Sequence, residues 1–304
     1  MIKDERASAN GAPASAPNTG ALPDMRGPLI DPHAHFHSPF TNRADWERYN
    51  RSRLNAGARL GVCAHVVSVL GSWGHTSPTY FSSPDDQTRA NAWLYATAAA
   101  LGPVVQTFVA VNPNFTQHAL TEIRHGIERG AVGIKLAAGR RADDVLLDDI
   151  AQAAAHYGVP ILHHVWQHRR RDWPNQDASD GIDVARLAAR HPSVTLLLAH
   201  LGGGGDWSHT LPAVRECPNI VMDLSGSGID RGMIDEALRH VGASRLLWAA
   251  DLTLCTGLTK LRALLHTGAS AQEVALMRWG NAARIFPPRA FAAVLPPAGL
   301  EGMA

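Results

Sequence analysis

The sequence predicts an α/β protein, a (β/α)8 TIM barrel preceded by a disordered N-terminal tail. Three observations carry that prediction. The chain has 304 residues, the length at which such a barrel commonly uses one core. Eight short apolar segments recur along it, each followed by a stretch of helical pattern. These segments are nearly continuous in apolar residues rather than alternating, as strands covered on both faces must be. Strand and helix in alternation imply a parallel sheet, and eight such units close on themselves. An open doubly wound sheet is the second architecture compatible with the pattern.

Residues 1–26 are rich in Ala, Pro, Ser, Asn and Gly without apolar periodicity, which reads as disordered tail. The first strand is the run beginning Leu29-Ile30, and Ala44 to Arg59 has helical pattern. Val62 to Val69 is a β-branched second strand, followed by a long connection from Gly71 to Pro84 carrying Trp73, His75 and Tyr80. Asp85 to Ala100 is helix, and Val104 to Val111 a strand stopped by Asn112-Pro113. The units then shorten: helix Thr116 to Arg129, strand Ala131 to Leu136, helix Val145 to Tyr157, strand Val159 to His164. Helix Asp183 to Arg190 and strand Val194 to Ala199 follow, then a short helix near Leu211 to Arg215 and strand Ile220 to Asp223. Helix Ile229 to His240 and strand Arg245 to Ala250 complete the set. No repeat or linker interrupts it, so one domain is expected over residues 27–290, with a C-terminal tail at 291–304.

Hydrophobic content of 45%, charged content of 18% and a net charge of +1 give no electrostatic case for nucleic acid or a membrane surface. A small-molecule substrate is the class left standing, with a homo-oligomer compatible. Cys63, Cys217 and Cys255 lie far apart and form no C-x-x-C, so neither a disulfide framework nor a thiolate metal site is suggested. That usage, with no apolar run of membrane-span length and no signal-peptide pattern, points to the cytoplasm.

The chemistry gathers at strand ends. In Leu29-Ile30-Asp31-Pro32-His33-Ala34-His35, residues two apart on a strand share a face, so His33 and His35 converge on one point. Sixteen histidines make a chance pair unremarkable. The rest of the barrel rim is what distinguishes this one. Lys135 lies in the fourth strand, His163-His164 end the fifth, His200 follows the sixth, and Asp251 follows the eighth. Barrel enzymes build their sites at these C-terminal ends, and neutral imidazole is the commonest metal ligand. Elsewhere, Gly202 to Gly205 lacks the Lys-Ser/Thr of a phosphate loop and suits close backbone approach at the mouth. Trp73, Trp166 and Trp207 follow strands and are candidates for either a pocket wall or packing. His37 and His65 read as supporting or core residues, and Asn281 and Arg284 as anchors of the last helix.

On these pieces, together with Gly133-Ile134-Lys135-Leu136, Ala199-His200-Leu201-Gly202-Gly203 and Trp279-Gly280-Asn281-Ala282-Ala283-Arg284-Ile285-Phe286, the sequence resembles the amidohydrolase superfamily. The similarity is to its amidohydrolase-related (amidohydrolase 2) branch of metal-dependent hydrolases, lactonases and decarboxylases. The resemblance implies that His33 and His35 bind a divalent metal with the fifth-strand histidine, and that Asp251 contacts the metal or its water. His200 would lie beside that water or bind a second metal. The family's ligand falls four residues after the strand's proline, which selects His164, and His163 then faces the other way. In binuclear members a lysine from the fourth strand is carboxylated and bridges two ions, which would make Lys135 a ligand; a charge-balancing amine is the alternative.

Three neutral histidines leave a dication able to lower the pKa of bound water to about 7, and zinc is the expected ion, one per chain with two possible. Asp251 suits proton transfer and His200 suits polarisation of a carbonyl. Hydrolysis of a small lactone, ester or amide is therefore the expected function. Non-oxidative decarboxylation of an aromatic or muconate-type acid is the alternative, and a binding barrel without catalysis is disfavoured because no matched ligand is lost. Arg140-Arg141 and His168-Arg169-Arg170-Arg171 are candidate grips for a substrate carboxylate, or solvated loop charge.

Overall fold

The computed structural model describes residues 27–41, 43–69, 80–166, 177–201, 207–226, 228, 230, 232–252 and 254–296, with the side chains of 254–256 left aside. The tail expected at residues 1–26 lies outside the described residues. Eight parallel strands run in sequence order around one sheet: β1 (Leu29–Phe36), β2 (Val62–Val69), β3 (Val105–Val111), β4 (Gly133–Leu136), β5 (Ile161–His163), β6 (Leu196–Leu198), β7 (Ile220–Asp223) and β8 (Leu246–Leu247). A parallel bridge between Ala34 and Asp251 brings the last unit back to the first. The helices between them are α1 (Trp46–Leu60), α2 (Pro84–Leu101), α3 (Thr116–Glu128), α4 (Asp148–Tyr157), α5 (Gly181–Arg190), α6 (Trp207–Val214) and α7 (Met233–Val241).

The expected elements are present, with shorter strands in the second half. The difference is greatest at β8, expected to continue to Ala250. It stops at Leu247 because Trp248 N bonds Met277 O (2.8 Å) and Ala250 N bonds the side chain of Asp31 (3.0 Å), not a neighbouring strand. Helices α8 (Leu254–Leu265) and α9 (Ala271–Ala275) are not read from the sequence, whereas α10 (Asn281–Ile285) is. Asn281 anchors α10 as expected, donating to Ala243 O (2.7 Å) and Leu246 O (2.8 Å), and Arg284 donates to Ser244 O (2.7 Å).

Side-chain parity sorts the core into two shells. Ile30, Ala64, Phe108, Leu162, Leu197 and Val221 cluster inside the barrel. Ile134, Leu136, Ile161, Leu196, Ile220 and Leu246 face outward into the layer of helices. The inner shell closes with Phe108 against Phe286, ring centroids 5.8 Å apart. Phe291 and Leu295, placed in the sequence reading with the C-terminal tail, are buried in this same cluster, so the packed chain runs past residue 290. An exposed tail would have left Phe286 uncovered.

Gly133 shows why β4 opens on a residue without a side chain. A Cβ there would stand 2.6 Å from the Phe108 ring and 3.2 Å from Pro160 O. Gly133→Ala is expected to cost about 1–3 kcal/mol by overpacking, read as a lower urea midpoint at unchanged m-value. A wild-type midpoint would show that Phe108 can move aside freely.

Candidate metal centre and active site

Strand β1 delivers two imidazoles through an irregularity. Its register with β2 shifts between Asp31 and Ala34, where Pro32 can offer no ladder donor. The shift changes parity: Ile30 points into the barrel, yet Ala34 and Phe36 pack outward against α2. His33 and His35 are thereby both turned inward, their Nε2 atoms 3.0 Å apart and both rings buried. Each is gripped from behind, His33 Nδ1 by Asp223 Oδ2 (2.8 Å) and His35 Nδ1 by Ser68 Oγ (2.8 Å). A carboxylate only accepts, so His33 carries its proton on Nδ1 and presents a lone pair at Nε2.

Around these atoms stand the other expected residues. Asp251 Oδ1 is 3.2 Å from His35 Nε2 and 3.6 Å from His33 Nε2, and its Oδ2 is 3.3 Å from His200 Nε2. One donor atom each from His33, His200 and Asp251 fall within 4.8 Å of one another. Lys135 Nζ is 3.5 Å from His33 Nε2. His164 follows Leu162 on the inward parity, its ring 4.8 Å from that of His200, and its buried Nε2 has no hydrogen-bond partner. His163 instead continues the outward parity of Ile161, with Nδ1 2.8 Å from His164 O.

The donor set fits a divalent cation: buried imidazole nitrogens and one carboxylate, with an orphaned imidazole nitrogen at the rim and outer nitrogens fixed by their own partners. The charges agree. Burial lowers the pKa of His33, assisted by Lys135, and takes His35 down to about 3, so both stay neutral lone-pair donors. Burial would raise Asp251, but His200 and His33 outweigh it and hold the carboxyl well below its usual range. Burial would lower His200, but Asp251 outweighs it and raises the imidazole. Burial brings Lys135 down to about 8 against the pull of Asp251 and Asp223.

Among the described residues, the non-glycine positions with positive φ are His200 (62°) and Asp251 (52°). Such left-handed backbone costs of order 1–3 kcal/mol and persists where surroundings over-determine it. Both lie in this centre.

The sequence reading missed Asp223, which besides orienting His33 accepts from His200 N (3.1 Å) and Ser225 N (2.9 Å). Its signal was available, since Asp223 ends β7 as a lone carboxylate after an apolar run. Ser68 gave no such signal, and Tyr80 only its place in the long connection after β2. The Tyr80 ring lies 5.3 Å from that of His164, and Trp166 stacks on His164 at 6.2 Å, so Trp166 does border the centre. Trp207 does not: its Nε1 donates to Asp230 (2.7 Å) and its ring packs on the outer core. His65 pairs with Asp31 (2.9 Å) as a supporting residue, and His37 N bonds Asn50 Oδ1 (3.0 Å). Arg141 is taken by Asp177 (3.1 Å), and Arg140 by Asn114 (2.9 Å) and Asp144 (3.5 Å), which leaves neither poised as a carboxylate grip. Trp73, His75, His168 to Arg171 and Gly202 to Gly205 lie outside the described residues.

A family model described as amidohydrolase matches residues 30–287. No curated protein matches the sequence. Among solved structures, the 2,6-dihydroxybenzoate decarboxylase from Rhizobium is similar at TM-score 0.67 and 16% identity, covering 84% of this chain and 98% of its own. A dihydroxybenzoic acid decarboxylase from Polaromonas, with bound manganese and the inhibitor 2-nitroresorcinol, gives 0.63 and 17%, covering 84% and 96%. The 5-carboxyvanillate decarboxylase from Sphingomonas paucimobilis gives 0.62 and 17%, covering 85% and 98%. At these identities the likeness is one of fold.

Proposed function

The chain belongs to the amidohydrolase family, and from that we propose that it is a metal-dependent, non-oxidative decarboxylase of a small aromatic carboxylic acid. The observation that carries the reading is the pairing of His200 Nε2 with Asp251 Oδ2 at 3.3 Å beside converging, neutral His33 and His35. That arrangement sets a proton donor next to a metal-type donor set. His33, His35, His164 and Asp251 would hold one divalent ion, with His200 alongside. Zinc suits this donor set, and the manganese of the Polaromonas relative supports manganese equally. Lys135 stays a free cation that offsets the two carboxylates; its carboxylated form bridging two ions is the variant that metal stoichiometry separates.

When bound, the ion supplies Lewis acidity that orients an anionic substrate and stabilises charge developing on it. The protein's residues do the rest. Tyr80 and Trp166 each lie beside His164 and add aromatic surface suited to a planar ring. The proton shared by His200 and Asp251 passes to the ring carbon bearing the carboxylate. The carbon–carbon bond then breaks, its electron pair returns to the ring and CO2 departs. Asp223 and Ser68 keep His33 and His35 in place throughout. Hydrolysis, the sequence expectation, would have Asp251 accept a proton from water instead. The decarboxylase relatives favour the first course. A reduced, cytoplasmic setting belongs to the same proposal and is supported by the free thiols of Cys63 and Cys217. Among the described residues no helix is long and apolar enough to cross a membrane.

The test is product identification. Metal-loaded protein incubated in D2O with ortho-hydroxybenzoates, 2,6-dihydroxybenzoate among them, is expected to release CO2 and leave one deuterium at the vacated ring carbon. Acid formation from lactones or esters, with no CO2 from any hydroxybenzoate, would return the protein to hydrolysis.

A further inference from the structure

Asp251 is held in its left-handed conformation through hydrogen bonds at four polar atoms of the adjoining backbone. Its own N–H donates to His33 O (2.7 Å), and Ala250 N donates to Asp31 Oδ1 (3.0 Å). The two carbonyls beyond are taken by helix α1: Arg53 Nη1 donates to Asp251 O, and the Tyr49 hydroxyl donates to Leu252 O. Arg53 Nη2 also reaches Asp31 Oδ2 (2.8 Å), which His65 Nδ1 shares at 2.9 Å. Tyr49 and Arg53 are four residues apart, so they project from one face of α1. That face is unusual for a barrel helix. Its buried residues are Asn50, Arg53 and Gly57, and the apolar Leu54 beside them is half-buried against the core.

A helix that docks through polar groups gains less from apolar burial than its neighbours and more from the bonds it makes. Here those bonds end on the ends of β1 and β8. Asn50 exchanges hydrogen bonds with His37 through its Nδ2 (2.7 Å to His37 O) and Oδ1 (3.0 Å from His37 N), while Arg53 and Tyr49 fasten the 251–252 peptides. Released from them, Asp251 would relax toward extended backbone and swing its carboxylate away from His35 and His200. Building on Asp251 as metal ligand and proton carrier, we propose that Tyr49 and Arg53 are positioning residues of α1 that hold Asp251 in its φ 52° conformation and so set the affinity and reactivity of the centre.

The probe is Mn2+ binding, followed by electron paramagnetic resonance, so that the readout does not depend on knowing the substrate. Outer partners of a metal ligand are typically worth about 10–100-fold in affinity, and Tyr49→Phe and Arg53→Met should each fall in that range. Arg53→Lys should recover part of the loss by keeping a donor and a charge. The decisive arm repeats the two changes on Asp251→Gly, which removes the carboxylate and adopts positive φ without strain. If Tyr49 and Arg53 act through Asp251, each should then alter Mn2+ affinity by less than about twofold. A general loosening of the fold would instead cost the same in both backgrounds. Arg53→Met leaves the buried Asp31 carboxylate without its guanidinium partner; should it fail to fold, Tyr49→Phe, which strips a single hydroxyl, decides. Wild-type affinity in Tyr49→Phe, or equal losses with and without the Asp251 carboxylate, overturns the proposal while the metal reading stands. Wild-type protein that binds no Mn2+ overturns both.

Discussion

Protein carrying His33→Ala and His35→Ala together is expected to retain essentially none of the one or so divalent ion per chain that the wild type holds after dialysis, measured by elemental analysis. Both imidazoles present buried Nε2 atoms to the same point, and each is oriented by its own partner, Asp223 or Ser68. Removing both therefore deletes two donors and the pre-organisation behind them. An intermediate arm separates donor from orientation. Asp223→Asn leaves both imidazoles but weakens the grip on His33, and should lower affinity by about 10–100-fold without abolishing it. Circular dichroism checks that each variant is folded, because Asp223 is buried and loses its His33 partner in the double variant. Full occupancy in the folded double variant would show that the ion sits elsewhere.

The second large effect is on turnover. Asp251→Asn is expected to slow decarboxylation by about 10²–10⁴-fold, the usual contribution of a positioned acid or base, while metal content falls far less because the amide oxygen can still coordinate. The pH profile gives the sign. The Asp251 carboxylate raises the pKa of His200 against the opposing effect of burial, so the charged pair is complete at low pH and lost as pH rises through the His200 value. Asparagine withdraws that support, and the alkaline limb of the rate profile should move to lower pH. Near-normal turnover, or an alkaline limb that stays where it was, would remove Asp251 from the proton path.

Much of this protein was legible in its sequence. Eight apolar runs at even spacing point to a parallel sheet and favour a barrel, since strands buried on both faces leave no polar face to be misread and the helices between them set the order. The residues of the centre were legible for the same reason: His33, His35, Lys135, His164, His200 and Asp251 all stand where strands end, and a barrel brings strand ends together whatever its loops do. Parity within a strand allowed only one of His163 and His164 to face the centre, and the family resemblance was what singled out His164.

Tertiary structure decided what one-dimensional pattern cannot carry. The parity change between Asp31 and Ala34 depends on how β1 pairs with β2, so the inward turn of both histidines below Ile30 is a property of two strands together. Asp223 joins the centre because β7 stands next to β8, whose following segment bridges back to β1, and it reaches His33 over 190 residues of chain. Lone polar residues such as Tyr49 and Arg53 on a helix carry no periodic signal. Their meaning lies in which backbone atoms they meet, and those atoms come from the segment after β8, about two hundred residues away in the chain and adjacent only once the barrel has closed.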